Sequence, residues 1–145
     1  MLAVHLAAIH AIEDHFYDRP NRESWAFGLA PEGYGRAMAD GEIFELVEDA
    51  SGKIIAFCGV KNGEVFGLYV HPDAQGRGIG KVLLQRAEAR LVSEGYSVIP
   101  LTASLNARAF YEVHGWQFIE HREVKSRGGL IQAVAAMKKT IGSEG

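Results

Sequence analysis

The sequence predicts an α+β domain with a central mixed, mostly antiparallel twisted sheet flanked by helices. Three observations carry this. Residues 43–70 read as a three-stranded meander, with Asp49–Gly52 as one turn and Asn62-Gly63, a strong hairpin signal, as the other. The third of these strands then runs through His71-Pro72 into a glycine-rich turn that opens directly into an amphipathic helix. A further strand, a helix and a terminal hairpin follow between residues 97 and 138. At 145 residues this is one domain, residues 1–145.

Composition narrows the function classes. An apolar fraction of 48% allows a buried core. The net charge of −3 argues against a nucleic-acid partner, which calls for a basic surplus or stripe. The single cysteine, Cys58, excludes an internal disulfide and lies in an apolar strand, where a buried, inert thiol is expected. No apolar run approaches a membrane span, and the N-terminus lacks the basic segment of a secretory signal, so the expected location is cytoplasmic.

In chain order, the apolar spacing of Leu2, Leu6, Ile9 and Ile12 predicts a helix over residues 2–17. His5, His10 and His15 are five apart and do not share a helical face, so they read as ordinary polar positions, and no metal site is expected. Asp18 to Asn21 is a break. Pro31 to Met38 is a short helix with proline in its first turn. The strands Ile43–Glu48, Lys53–Val60 and Glu64–Val70 follow. The helix after the glycine-rich turn buries Leu83, Leu84, Ala87 and Leu91 and stops at Gly95. Ser97 to Ala103 contains Pro100 and reads as an edge or splayed strand. Ser104 is a good N-cap for a helix running to His114, closed by Gly115. The hairpin of Gln117–Val124 and Leu130–Lys138 turns at Lys125–Gly129, and a frayed, polar tail ends the chain.

The turn Gln75-Gly76-Arg77-Gly78-Ile79-Gly80-Lys81 is the chemical centre. Proline at residue 72 stops the strand, glycines bring backbone amides close to a ligand, and a helix N-terminus offers unpaired N–H donors. Between Ala74 and Ala87 there is no acid, while Arg77, Lys81 and Arg86 are basic. This describes a diphosphate cradle. It is not an ATP-type P-loop, because Gln75 and Val82 stand where glycine and Ser/Thr are required. Nor is it the dinucleotide fingerprint, since Lys81 replaces the third glycine. Residues 74–87 supply no acid for Mg²⁺.

What remains, Gln-x-x-Gly-x-Gly between strand and helix, resembles the acetyl-CoA motif of the GCN5-related N-acetyltransferases, the GNAT family. A second stretch agrees: Ala107, Phe110, Tyr111 and Gly115-Trp116 match the family's helix after its fifth strand. The resemblance covers residues 42–140. Tyr17 with Trp25, and Ala136-Met137-Lys138, are similar to one large subgroup of small acetyltransferases, often without a known substrate. The usual asparagine position holds Ser104, with Asn106 two residues on. GNAT chains normally open with a strand before the first helix, whereas this sequence begins inside that helix. Either the strand is absent or the sequence starts late. The sheet edge left open is one that pairing in a homodimer could cover.

The resemblance implies a splayed pair of parallel strands with acetyl-CoA as co-substrate between them. Amides near Leu68, Tyr69 and Val70 would hold the pantetheine and polarise the acetyl carbonyl. Gln75 to Lys81 would hold the pyrophosphate, and Ser104 or Asn106, with Phe110, the rest of the arm. Tyr111 would protonate the departing thiolate. Glu64 is the proposed base for the amine, directly or through water, with His71 and Glu45 as weaker alternatives. The acceptor is a small molecule or peptide, in a pocket walled by the Tyr17–Phe27 segment and the Lys125–Gly129 turn, with Trp25 and Tyr34 lining it. The competing reading is a CoA-binding regulatory module of the same fold without turnover.

Overall fold

The computed structural model describes residues 1–141. The expected frayed tail after Thr140 falls almost entirely outside them. Among the described residues there are five helices and one six-stranded sheet. The helices are α1 (Leu2–His10), α2 (Arg19–Ala26), α3 (Pro31–Ala39), α4 (Ile79–Ser93) and α5 (Arg108–Val113). The strands are β1 (Ile43–Glu48), β2 (Ile54–Lys61), β3 (Glu64–Val70), β4 (Val98–Ser104), β5 (Gln117–Lys125) and β6 (Ile131–Thr140), in the order β1-β2-β3-β4-β6-β5. All neighbours are antiparallel except β3 and β4. No helix among the described residues is long and apolar enough to cross a membrane.

Alternation along β2 sends side chains to two layers. Ala56 and Cys58 join Leu83, Leu84, Ala87 and Leu91 of α4 in the main core. Phe57, between them, meets His5 of α1 and Tyr34 of α3 on the other face. Burial raises the Cys58 thiol to about 12, so it is an inert core residue. The apolar face read for α4 is the face that is buried.

The parallel pair is barely a pair. β4 is matched to β6 from Val98↔Thr140 to Ser104↔Val134, yet it meets β3 only at Val65↔Leu101. β3 and β4 therefore diverge, and on that side the backbone of residues 66–70 has no strand to pair with. Pro100, which has no N–H to give, fits a strand laddered on one side only.

Three expectations need correction. The first helix ends at His10 rather than residue 17. Arg22 explains the break: its guanidinium takes the carbonyls of Ile12 (3.1 Å) and Tyr17 (2.7 Å) and the Asp14 carboxylate, holding the chain in a turn. Asp18 then caps α2 through the Asn21 N–H at 3.0 Å, so the predicted break is also a helix start. His5 is not an ordinary polar position. It is 6% exposed, its Nδ1 lies 2.9 Å from the Tyr34 hydroxyl, and its ring sits 4.1 Å from that of Tyr69. Finally, Ser104 makes no side-chain cap. A 3-10 turn, Leu105–Ala107, precedes α5, and the Leu105 N–H goes to the Tyr17 hydroxyl.

Candidate active site

β3 delivers the chain to the cradle. His71 Nδ1 accepts the Asp73 N–H at 3.1 Å and shapes a single 3-10 turn. Gln75 turns back, its amide donating to the Val70 carbonyl at 3.3 Å, and so ties the cradle to the end of β3. Gly78 is the N-cap of α4 with φ +76°, a left-handed conformation that glycine adopts without strain. The cap has no side chain in it, so the first amides of α4 remain free for an anion. At Gly80 the constraint is space: an added Cβ would lie 3.3 Å from the Phe110 ring.

The cradle forms one end of a cavity of about 670 Å³ that follows the gap between β3 and β4. Leu68, Tyr69, Val70, Gln75, Gly76, Gly78, Ile79, Gly80 and Lys81 line it, with Ser104, Asn106, Phe110 and Tyr111 along the opposite side. Arg77 does not: its guanidinium is turned to the Asp73 carbonyl at 3.3 Å. A smaller cavity of about 200 Å³ adjoins this one. Trp25, Leu68, Tyr69, Ser104, Ala107 and Tyr111 border both. Tyr111 thus stands at the junction, 5% exposed, and burial pushes its hydroxyl pKa well above the usual tyrosine range. It keeps its proton under all ordinary conditions and can serve as a donor.

The smaller cavity is walled by chain segments far apart in sequence. Tyr17 and Trp25 come from the turn and helix before the sheet, Phe66 and Gly67 from β3, Thr102 from β4, and Val124, Ser126, Gln132 and Val134 from the last hairpin. That hairpin is fastened to α2. Gly128 N–H donates to the Ser24 carbonyl (2.8 Å), Leu130 N–H to Ser24 Oγ (3.2 Å), and Ser24 Oγ also meets Ser126 Oγ. Arg127 donates to the Trp25 carbonyl at 2.9 Å, and Gln132 Nε2 to the Asn21 carbonyl at 2.6 Å.

Residues 13–140 match the family model described as the acetyltransferase (GNAT) domain. The chain belongs to the GNAT family. Its members take the acetyl group from acetyl-CoA. A GCN5-related N-acetyltransferase from Rhodopseudomonas palustris superposes with a TM-score of 0.87 at 26% identity, covering 97% of this chain and 87% of that one. PaiA N-acetyltransferase from Thermoplasma acidophilum, solved in complex with coenzyme A, gives 0.67 at 20% identity, over 97% of this chain and 90% of that one. Serotonin N-acetyltransferase 2, chloroplastic, of Oryza sativa subsp. japonica is 34% identical over 89 residues, 56% of this chain. That match takes in 44% of the rice protein, so the chain spans less than half the length of this curated relative.

Within this GNAT domain, the residues drawn from the two motifs come together around the larger cavity, except Arg77, Gly115 and Trp116. The bases do not join them. Glu64 lines neither cavity, although burial raises its carboxyl above the usual range. Glu45 is held by Arg86 (3.1 Å) and Arg90 (3.5 Å), and His71 is engaged in the turn. Tyr34 is also displaced from its expected wall position, because it packs on Phe44 and Phe57 beneath the sheet. Ser126 lies in the Lys125–Gly129 turn expected to wall the acceptor pocket, whereas Gln132, on the strand after it, was not foreseen as a wall residue.

Proposed function

We infer that this chain transfers the acetyl group of acetyl-CoA to a primary amine by direct attack. The observation that carries the reading is the position of Tyr111 between a cavity ending at the cradle and a second cavity of acceptor size. In the proposed step the amine lone pair attacks the thioester carbonyl carbon, a C–N bond forms and the C–S bond breaks. The Tyr111 O–H gives its proton to the leaving thiolate.

The remaining roles follow the geometry. The amides near Leu68 and Val70 support the pantetheine and the carbonyl oxygen as it gains charge. Residues 75–81, by their amides and Lys81, hold the pyrophosphate. Ser104, Asn106 and Phe110 contact the arm across the gap. Glu64 acts as base only through a chain of water, since it borders neither cavity; an amine that enters as its free base loses its proton to solvent after attack.

The test is acetyl-CoA binding by calorimetry followed by thiol release with an amine panel. An active enzyme binds acetyl-CoA and releases thiol in an amine-dependent manner. Tight binding without amine-dependent release throughout would replace this reading with the non-catalytic CoA-binding module.

A further inference from the structure

We propose that the acceptor is a small aromatic amine with no second charge, seated in the 200 Å³ cavity and read by Gln132. The proposal rests on the acetyl-transfer reading above and deepens it.

The first argument is charge. Among the described residues, no Asp, Glu, Lys or Arg lines the smaller cavity. The nearby cation, Arg127, is committed to the Trp25 carbonyl and is not part of the wall. A diamine, an aminoglycoside or an amino acid would bring in a second charge and leave it without a partner. Without a carboxylate to pair with an ammonium, the cavity favours the amine as its free base.

The second argument is surface. Tyr17, Trp25, Phe66, Tyr69 and Tyr111 give the cavity aromatic walls. Two of its hydroxyls are already paired. The Tyr17 hydroxyl donates to the Ala133 carbonyl and accepts from Leu105 N–H. Ser126 Oγ donates to the Leu130 carbonyl at 3.1 Å. Flat aromatic faces favour a planar ring through stacking and area burial. The size agrees, since a protein cavity of about 150 Å³ accommodates a benzene ring. One or two fused rings fit.

The third argument is Gln132. It is 6% exposed, and its amide orientation is set by the bond from Nε2 to the Asn21 carbonyl. Among the described residues nothing donates to its Oε1. An acceptor left open on an aromatic cavity wall suits a ligand N–H or O–H. The pinning of the last hairpin to α2 holds this wall in place before the ligand arrives.

The experiment measures thiol release from acetyl-CoA with tryptamine, 1-methyltryptamine and 2-phenylethylamine against putrescine, lysine and glutamate. The aromatic amines should exceed the charged aliphatic ones at least tenfold in kcat/KM, and tryptamine should exceed its 1-methyl analogue. Phe66→Ala, which alters only the smaller cavity, should raise KM for the aromatic amines severalfold while the acetyl-CoA Kd stays constant. Gln132→Met should abolish the distinction between tryptamine and 1-methyltryptamine; if that variant fails to fold, the wild-type pair and Phe66→Ala still decide. A preference for putrescine, lysine or glutamate, or inert aromatic amines on a protein that binds acetyl-CoA, overturns the proposal and leaves acetyl transfer standing. Failure to bind acetyl-CoA removes both.

Discussion

The Tyr17 hydroxyl donates to the Ala133 carbonyl at 2.6 Å, across 116 residues of chain. The same oxygen accepts the Leu105 N–H at 3.0 Å. One side chain thus joins the segment before the sheet to β6 and to the turn that starts α5. Tyr17→Phe keeps the ring and its edge-on contact with Trp25 but leaves a carbonyl and an amide unpaired. The expected loss is about 1–3 kcal/mol of unfolding free energy in urea, with an unchanged denaturant slope.

Tyr111 tests the chemistry. In Tyr111→Phe the thiolate would leave without its donor. The turnover number should fall between about 10² and 10⁴-fold, with acetyl-CoA affinity within about twofold by calorimetry. Because burial raises the Tyr111 pKa, wild-type activity should not decline as pH passes the ordinary tyrosine value of about 10. An alkaline limb that disappears in Tyr111→Phe would contradict this.

Gly78 and Gly95 both adopt positive φ, +76° and +100°, and only Gly78 lines the larger cavity. Alanine at either position costs about 1–2 kcal/mol of strain. Gly78→Ala should therefore lower the melting temperature and weaken CoA and acetyl-CoA equally, since both carry the pyrophosphate. Gly95→Ala should lower the melting temperature alone. Equal affinities in the two variants would place the pyrophosphate elsewhere.

His5 predicts an acid-sensitive fold. Its pKa is lowered to about 4, first by burial and then by the charges of Arg127 and the N-terminal amine. The unfolded chain, with a histidine pKa of about 6.5, binds this proton more readily than the folded one. The contribution is fully present above the unfolded value and is lost as pH falls from about 6.5 to 4. It amounts to roughly 3 kcal/mol. Stability curves at several pH values should show this drop, and His5→Phe should flatten it.

What could be read from the sequence was what neighbours in sequence decide. β1 and β3 fall where alternation and turn residues place them, and the buried face of α4 follows from its 3.6-residue spacing. The cradle was readable because its glycines, its missing acids and its position between strand and helix are contiguous. His5 was misread because its burial depends on Tyr34, Phe57 and Tyr69, none of which is close in sequence. The end of α1 was missed because Arg22, ten residues beyond Ile12, takes the carbonyls that would have continued the helix. Ser104 had the right residue type for a cap, but the Tyr17 hydroxyl serves the amide that follows it. The acceptor walls are the extreme case: Asn21 and Gln132, 111 residues apart, meet only after the sheet has formed.

The single β3–β4 rung at Val65 and Leu101 makes the protein two leaves, β1-β2-β3 and β4-β6-β5, sharing one spine. Whatever occupies the gap acts as a strut between them. Ligand occupancy and mechanical unity then become one property. Filling the gap should slow amide exchange in both leaves together, and emptying it should let each leaf breathe on its own.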